Sequence, residues 1–336
     1  MLKLRKAAVA AFAITVALLT SACSGAAPGG GSDGPSQGAG EEAVLDEITV
    51  ASIDVDGTIP LLIAVDEGIF EKHGIKATTT MSPAFDGTLA AVMNGQAQIG
   101  FAASPPMIRA IAKDAPIRAV AQTAVISGEE AQASVVTMDP EITGPLDLIG
   151  KSVAVSSLND LASIGIRLAV AKAGGNPDDV KLVELPGPQR LAALQEGKID
   201  AGIFIGASAL GALATEGVHL VFQYTEAFPS GSPLDMYFSR ADYIEQNADL
   251  LERFRAAMAE ASEFANENPD AVREHLRTLM ADVPDQLAVV DELELTDYRT
   301  DIDVEAFDGL VEAMQQYGDL DAAVTAEQFF SFQNGE

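Results

Sequence analysis

Cysteine is almost absent from this sequence, and basic residues are scarce. The 336 residues include a single cysteine, Cys23, so the chain cannot form an internal disulfide or a zinc or iron–sulfur site built from several cysteines. Lysine and arginine number 20 against 50 acidic residues, which gives a formal charge of −30. Because such a surface repels phosphate backbones, we expect no nucleic-acid partner. A small anion remains compatible, since a local site can oppose the overall field.

The common sequence signatures of catalysis are also missing. There is no His-Glu-x-x-His metal helix, no phosphate-binding glycine loop ending in Lys-Ser/Thr and no Gly-x-Ser-x-Gly elbow. His73, His219 and His275 are far apart in the sequence, and no catalytic or metal-binding partner is evident for any of them. We therefore predict a protein that is not an enzyme and that uses no cofactor or metal.

Long apolar runs are confined to the amino terminus. Lys3, Arg5 and Lys6 precede an uncharged run over residues 7–19, a pattern typical of a secretory signal peptide. As a helix this run would extend about 20 Å, less than the roughly 30 Å hydrocarbon core of a bilayer. Removal of residues 1–22 would leave 17 basic and 50 acidic residues, a formal charge of −33.

The residues that precede Cys23 indicate a role for this single cysteine. Residues 19–23 (LTSAC) resemble the bacterial lipobox, in which small residues precede a cysteine that becomes lipid-modified and amino-terminal, although Thr20 replaces the usual leucine. Residues 23–46 are rich in Gly, Ser, Ala and Pro, as flexible tethers are. We predict lipidation at Cys23 and an extracytoplasmic protein held at the cell membrane by that lipid. The alternative is an ordinary secretory signal with a free or buried thiol.

The remaining chain alternates between strand and helix patterns. Proline- or glycine-bounded helical patterns separate β-branched runs, and this alternation predicts mostly parallel sheets covered by helices on both faces. Two such α/β units, followed by about a hundred mostly helical residues, predict two lobes with a ligand cleft at the carboxyl ends of the strands. The predicted strands are residues 48–53, 75–81, 98–102, 117–122, 133–138, 152–156, 180–184, 201–205, 218–224 and 235–239.

Four segments carry a family resemblance: residues 61–74 (LLIAVDEGIFEKHG), 87–104 (GTLAAVMNGQAQIGFAAS), 146–156 (LDLIGKSVAVS) and 191–201 (LAALQEGKIDA). In this order and spacing they resemble the solute-binding proteins of ABC importers, of the nitrate, sulfonate, taurine and thiamine-precursor type. The resemblance covers roughly residues 48–280.

The resemblance implies a two-lobed α/β fold of the periplasmic-binding-protein type 2. Such a protein captures a small-molecule ligand by hinge closure and delivers it to an ABC permease with a cytoplasmic ATPase, and we expect a monomer. Lobe 1 would comprise residues 47–138 and 234–336, and lobe 2 residues 139–233. The hinge crossings would then lie near residues 139–143 and 230–234.

Six loops that follow strands are the candidate ligand contacts: residues 54–58, 82–88, 103–105, 157–163, 187–189 and 205–207. Backbone N–H groups at helix amino ends can hold an anion there without a basic side chain. Hydroxyl, amide and aromatic side chains would add contacts, although each also fits a helix cap or the core. The candidate ligand-binding residues are Asp56, Thr58, Phe85, Ser104, Ser157, Asn159, Ser163, Gln189, Phe204 and Tyr237.

An organic anion, such as a sulfonate or an aromatic carboxylate, is the first expectation for the ligand. Arg167 and Arg190 are possible partners for it, but both also suit exposed helix faces. Asp54, Asp56 and Asp86 would instead favour a cation or a hydrogen-bonding heterocycle if all three lined the cleft. The alternatives are a binding protein for a neutral pyrimidine or thiamine precursor, a surface receptor, or a pyrimidine-synthesising enzyme of the same fold. The last uses a cysteine-rich iron motif, which this chain lacks.

Overall fold

The computed structural model describes residues 44–127 and 133–332, apart from the side chain of residue 285. The predicted signal peptide, Cys23 and most of the predicted tether lie outside the described residues. The ten strands of the described part are β1 (Asp46–Ser52), β2 (Ile75–Met81), β3 (Ile99–Ala103), β4 (Ile117–Val125), β5 (Ala133–Thr137), β6 (Ser152–Val155), β7 (Lys181–Glu184), β8 (Ala201–Ile205), β9 (His219–Gln223) and β10 (Pro233–Arg240).

Helices cover both sheets and make up most of the carboxyl-terminal third. The α-helices of the described part are α1 (Ile59–Asp66), α2 (Ile69–Lys72), α3 (Phe85–Met93), α4 (Ser104–Ala112), α5 (Leu161–Lys172), α6 (Gly187–Gln195), α7 (Ala207–Leu213), α8 (Ala241–Gln246), α9 (Ala248–Glu267), α10 (Pro269–Leu279), α11 (Pro284–Leu287), α12 (Val304–Tyr317) and α13 (Ala326–Phe329). Short 3-10 helices lie at Asp56–Thr58, Pro145–Leu148, Pro177–Asp179, Tyr224–Ala227 and Val290–Glu292. Within the described ranges, no helix combines the length and the apolar character that a membrane crossing requires.

The strands form two five-stranded sheets with the same pattern of directions. The first has the order β2-β1-β3-β10-β4, and β10 is antiparallel to both of its neighbours. The second has the order β7-β6-β8-β5-β9, and β5 is the antiparallel strand. Four of the five strands in each sheet therefore run in one direction, so the prediction of two mostly parallel, helix-flanked sheets is confirmed. Near-continuous burial along β4 fits a strand covered on both faces.

The predicted first lobe boundary, at residue 138, is wrong. Strand β5 pairs with β8 and β9 and so belongs to the second sheet. The first connection between the sheets therefore precedes β5 rather than lying at 139–143. The apolar pattern of β5 fits a buried strand of either sheet, and only its partners assign it. The return connection spans residues 224–232, between β9 and β10.

The long helix α9 returns to the first sheet. Its buried residues lie on one helical face, as the periodicity predicts, and include Phe254 and Met258. Phe254 stacks on Phe70, with ring centroids 5.6 Å apart, and meets Tyr237 edge-on at 5.6 Å. This face therefore fills the core on one side of the first sheet.

Two helical details differ from the sequence prediction. The helical pattern that begins at Pro60 predicts a single helix to Lys72, but the structure divides it into α1 and α2 at Gly68, whose φ of 65° is left-handed and readily adopted only by glycine. Helices α7 and α8 were not predicted. Helix α7 matters for function, because it begins directly at the cleft.

Candidate functional site

A cavity of about 230 Å³ opens between the two sheets. The first lobe contributes residues 54–56, which follow β1, and the second contributes residues 205–207, which follow β8 and lead into α7. Both segments leave the carboxyl end of a parallel strand, where open α/β sheets bind ligands. The cavity thus brings together parts of two of the six predicted loops.

The third wall of the cavity comes from the carboxyl-terminal elements. Helix α10 presents an apolar row to it that includes Leu276 and Leu279, and the chain between α11 and α12 adds residues 293–296 and Tyr298. Apolar walls with a few polar groups are typical of small-molecule sites. The full lining is Asp54, Val55, Asp56, Ile205, Gly206, Ala207, Val272, Leu276, Leu279, Met280, Gln286, Leu293, Glu294, Leu295, Thr296 and Tyr298.

The charged side chains of this lining are all acidic. Asp54, Asp56 and Glu294 contribute carboxylates, and the lining includes no lysine, arginine or histidine. Asp86, the third aspartate considered with Asp54 and Asp56, is not part of it. The cavity therefore favours a positively charged or hydrogen-donating group on the ligand.

Asp56 accepts hydrogen bonds at both carboxylate oxygens and at its backbone carbonyl. Its Oδ1 accepts the Gly57 backbone N–H at 3.0 Å, and its Oδ2 accepts the Thr296 hydroxyl at 3.0 Å. Its backbone carbonyl accepts the Tyr298 hydroxyl at 3.1 Å. Burial raises the pKa of Tyr298 well above its ordinary value, and Asp56 and Asp235 nearby add to the shift. The phenol therefore stays neutral and remains a donor at neutral pH.

The amino ends of two helices at the same edge of the first sheet have no side-chain cap, although Pro105 and Pro106 leave Ser104 as the one first-turn residue of α4 with a backbone N–H. Helices α3 and α4 follow β2 and β3, and neither has a side-chain cap at its first turn. By contrast, Asp160 caps α5 by accepting the Ser163 backbone N–H at 2.7 Å. The uncapped ends offer partial positive charge to an anionic group.

Three predicted hydroxyl ligands make hydrogen bonds within the fold. Thr58, Ser104 and Ser163 are all buried. Thr58 donates to the Val55 carbonyl at 2.6 Å, and Ser163 donates to the Ser157 carbonyl at 2.5 Å. Ser104 donates to the carbonyls of Pro233 and Leu234 at the start of β10. These bonds satisfy buried polar groups.

The three predicted aromatic contacts also lie in or against the core. Phe204 is 4% exposed and packs inside the second lobe. Tyr237 is fully buried beside Phe101 and Phe254. Phe85 is half-buried and packs on Phe238, with ring centroids 5.7 Å apart. None of them is part of the cavity lining, and their role as ligand contacts stays a prediction.

The remaining predicted contacts lie at the ends of β6 and β7, outside the cavity lining. Ser157 and Gln189 are exposed and Asn159 is half-buried. Arg190 is 5% exposed and donates to the carbonyls of Leu185 and Ile203, so it is a structural residue. Arg167 donates to the Tyr317 carbonyl at 2.7 Å.

Sequence reasoning missed the carboxyl-terminal part of the site. Glu294, Thr296 and Tyr298 lie in a segment without regular structure or periodicity. The one local signal was the concentration of acidic and hydroxyl residues over 292–303. That composition does not reveal which part of the fold the segment meets.

The three histidines lie apart in the fold as well. His73 contacts Glu260 at 2.9 Å, His219 contacts the Ile142 carbonyl at 3.1 Å, and His275 lies 3.8 Å from Asp66. Among the described residues, no group of three or more potential side-chain ligands is arranged to hold a metal ion.

The profile of the NMT1/THI5-like family matches residues 57–272 of this chain. The chain belongs to this family. The matched region contains most of both sheets and the loop after β8, whereas residues 293–298 of the cavity lie beyond it.

Individual relatives are described as binding proteins. The chain is 28% identical over 180 residues to a taurine-binding periplasmic protein of Escherichia coli, an alignment that spans only 54% of either chain. It is 24% identical over 218 residues to a putative binding protein of Brucella abortus, covering 65% of this chain and 66% of that protein. These descriptions support a non-enzymatic, substrate-binding role at the level of the family.

Solved structures share the fold at low identity. The periplasmic aliphatic sulphonate binding protein of Escherichia coli has a TM-score of 0.69 and 19% identity, covering 86% of this chain and 92% of that one. The alkanesulfonate-binding protein of Xanthomonas axonopodis pv. citri, bound to MOPS, has a TM-score of 0.64 and 16% identity over 84% and 98% of the two chains. The two-lobed periplasmic-binding-protein fold is therefore confirmed.

Proposed function

We propose that this chain is the lipid-anchored substrate-binding component of an ABC importer, and that its ligand is a small organic sulfonate that carries an amino group. The cavity between the lobes, with carboxylates and no basic side chain in its lining, is the observation that carries the proposal. Closure of the lobes would enclose the ligand for delivery to the permease.

The two ends of such a ligand have different partners. An ammonium group would lie against Asp54, Asp56 and Glu294, where opposite charge compensates for its loss of water. The sulfonate would take N–H groups at the uncapped amino end of α3. Ser157, Asn159 and Gln189 remain proposed contacts that the second lobe would add on closure. Taurine, the ligand named for one relative, has both charged groups.

Calorimetry with matched ligands tests this proposal. Taurine carries both charges, ethanesulfonate only the anion and ethylamine only the cation. We expect taurine to bind most tightly, because only it uses both sets of partners. Ethanesulfonate binding as tightly as taurine would contradict the role of the carboxylates, and no binding of any sulfonate would refute the proposed ligand class.

A neutral pyrimidine is the second candidate, since neutral hydrogen donors also suit an acidic lining with apolar walls. An aminopyrimidine and benzoate therefore belong in the same titration series. Preference for the aminopyrimidine over taurine would favour this alternative, and preference for benzoate would favour an aromatic carboxylate. Consumption of any bound compound would contradict a binding protein without turnover.

The lipid anchor is a separate part of the proposal. A lipid on Cys23 would keep the binding protein near its permease and raise its effective concentration there. Cys23→Ser should release the protein from membranes in cell fractionation. Equal membrane association of the variant and the wild type would contradict lipidation.

A further inference from the structure

Residues 293–303, here called the strap, join the 3-10 helix Val290–Glu292 to α12 without regular secondary structure. We infer that the strap determines ligand selectivity by holding Asp56 in place, with Thr296 and Tyr298 as the positioning residues. The inference rests on the proposed function, in which Asp56 receives the amino group of the ligand. The strap lies beyond the 57–272 region that the family profile matches.

The strap is fixed to the first sheet by its backbone. Tyr298 forms an antiparallel bridge with Ala124 of β4, and the Arg299 N–H donates to the Thr123 carbonyl at 3.0 Å. Further along, the Gln122 side-chain amide donates to the Asp301 carbonyl at 2.5 Å. These contacts align part of the strap along β4.

A second attachment joins the strap to α9. The Asn266 side chain accepts the Tyr298 N–H at 3.0 Å and donates to the Tyr298 carbonyl at 2.8 Å. Leu293, Tyr298 and Ile302 are buried, so apolar packing supports the strap along its length. The strap therefore presents Thr296 and the Tyr298 hydroxyl from a rigid support.

Both presented hydroxyl groups bind Asp56. The Thr296 hydroxyl donates to Oδ2 and the Tyr298 hydroxyl to the backbone carbonyl, while the Gly57 N–H occupies Oδ1. These three bonds restrict both rotation of the carboxylate and movement of its loop. A carboxylate has about four acceptor positions, so each oxygen can still accept a bond from a ligand. A carboxylate already oriented for an ammonium group loses less entropy on binding it.

The test compares Thr296→Val, which keeps the side-chain shape, and Tyr298→Phe, which keeps the ring. Thr300→Val is the matched control, because Thr300 lies on the strap but does not line the cavity. Calorimetry gives dissociation constants for taurine and ethanesulfonate, and circular dichroism checks that each variant is folded. We expect Thr296→Val and Tyr298→Phe to weaken taurine binding about three- to tenfold, with ethanesulfonate binding and the control unchanged.

A double-mutant cycle shows whether the effect passes through Asp56. In the Asp56→Asn background, Thr296→Val should produce little additional loss of taurine affinity, because the charge it positions is already gone. Full additivity, or equal weakening of taurine and ethanesulfonate, would overturn the inference. Loss of affinity on Asp56→Asn with none on Thr296→Val would overturn the inference alone. If the wild type binds neither compound, the proposed function fails and the inference with it.

Discussion

At the scale of single residues, position in the fold decides whether a hydroxyl group serves a ligand or the backbone. Ser104 and Ser157 both follow strands at cleft edges, and in sequence they are equivalent candidates. The structure buries Ser104 against two carbonyls of β10 and leaves Ser157 exposed. The Ser104 hydroxyl donates to carbonyls 129 and 130 residues away in the sequence, whereas the Ser157 hydroxyl accepts the N–H of the nearby Asn159, and no local pattern distinguishes these cases.

This difference predicts that the same substitution destabilises the protein at Ser104 and has little effect at Ser157. Ser104→Ala should reduce the free energy of unfolding by about 1–3 kcal/mol, because it removes the buried hydroxyl that donates to the carbonyls of Pro233 and Leu234. Ser157→Ala should change it by less than about 0.5 kcal/mol. Urea unfolding measures both. A destabilised Ser157→Ala together with an unchanged Ser104→Ala would contradict this assignment of roles.

The loops at residues 54–56 and 205–207 could be predicted as site residues because both follow parallel strands. The general rule that ligands bind at carboxyl strand ends is sufficient to locate them. Thr296 and Tyr298 could not be predicted. Their place in the site depends on the pairing of Tyr298 with Ala124 and Asn266, which are distant in sequence.

At the scale of elements, the sequence predicted whether a segment is a strand or a helix more reliably than it predicted which strands pair or where an element ends. The apolar runs of β5 and β10 were recognised as strands, but only pairing assigns β5 to the second sheet. The alanine-rich helix α7 is seven residues long, too short for its periodicity to stand out.

Close packing between α5 and the 3-10 helix Tyr224–Ala227 predicts intolerance at Gly165. A Cβ there would lie 2.6 Å from the Tyr224 carbonyl oxygen, so Gly165→Ala should cost about 1–3 kcal/mol of stability. Gly211 in α7 is the matched control, since a Cβ there meets nothing within 4 Å. Gly211→Ala should stabilise by about 0.4–1 kcal/mol. Thermal unfolding distinguishes the two, and a similar shift in both variants would count against the packing argument.

The hydrogen bonds between Ser152, at the start of β6, and Asp200, directly before β8, predict that the free energy of unfolding depends on pH. Hydrogen bonds from the Ser152 side chain and backbone, both at 2.7 Å, lower the pKa of Asp200. Its contribution is therefore present above the unfolded-state pKa of about 3.9 and is lost as pH falls through the lower folded-state pKa. Asp200→Asn should be less stable than the wild type at pH 7, with the difference shrinking near pH 2–3. Urea unfolding at both pH values tests this, and a difference that grows on acidification would contradict it.

At the scale of the whole molecule, the negative charge favours a ligand that is close to neutral overall. The sequence carries −30, and the cavity adds carboxylates at the binding surface itself. A simple anion would be repelled over the distance that salt leaves unscreened, about 10 Å at 0.1 M ionic strength and 3 Å at 1 M. A zwitterion has no net charge and is therefore repelled little by the acidic surface. Each of its two charged groups can also bind a partner of opposite charge.

Salt dependence of binding separates these cases. Affinity for ethanesulfonate should rise as sodium chloride increases from low to physiological concentration, because screening weakens the repulsion between the anion and the acidic surface. Affinity for taurine, whose net charge is zero, should change less and fall slightly as its contact with Asp56 is screened. Calorimetric titrations of both ligands at three salt concentrations measure the two slopes. Parallel increases for the two compounds would mean that the carboxylates of the cavity repel taurine as a whole, and its amino group would then have to lie away from Asp56.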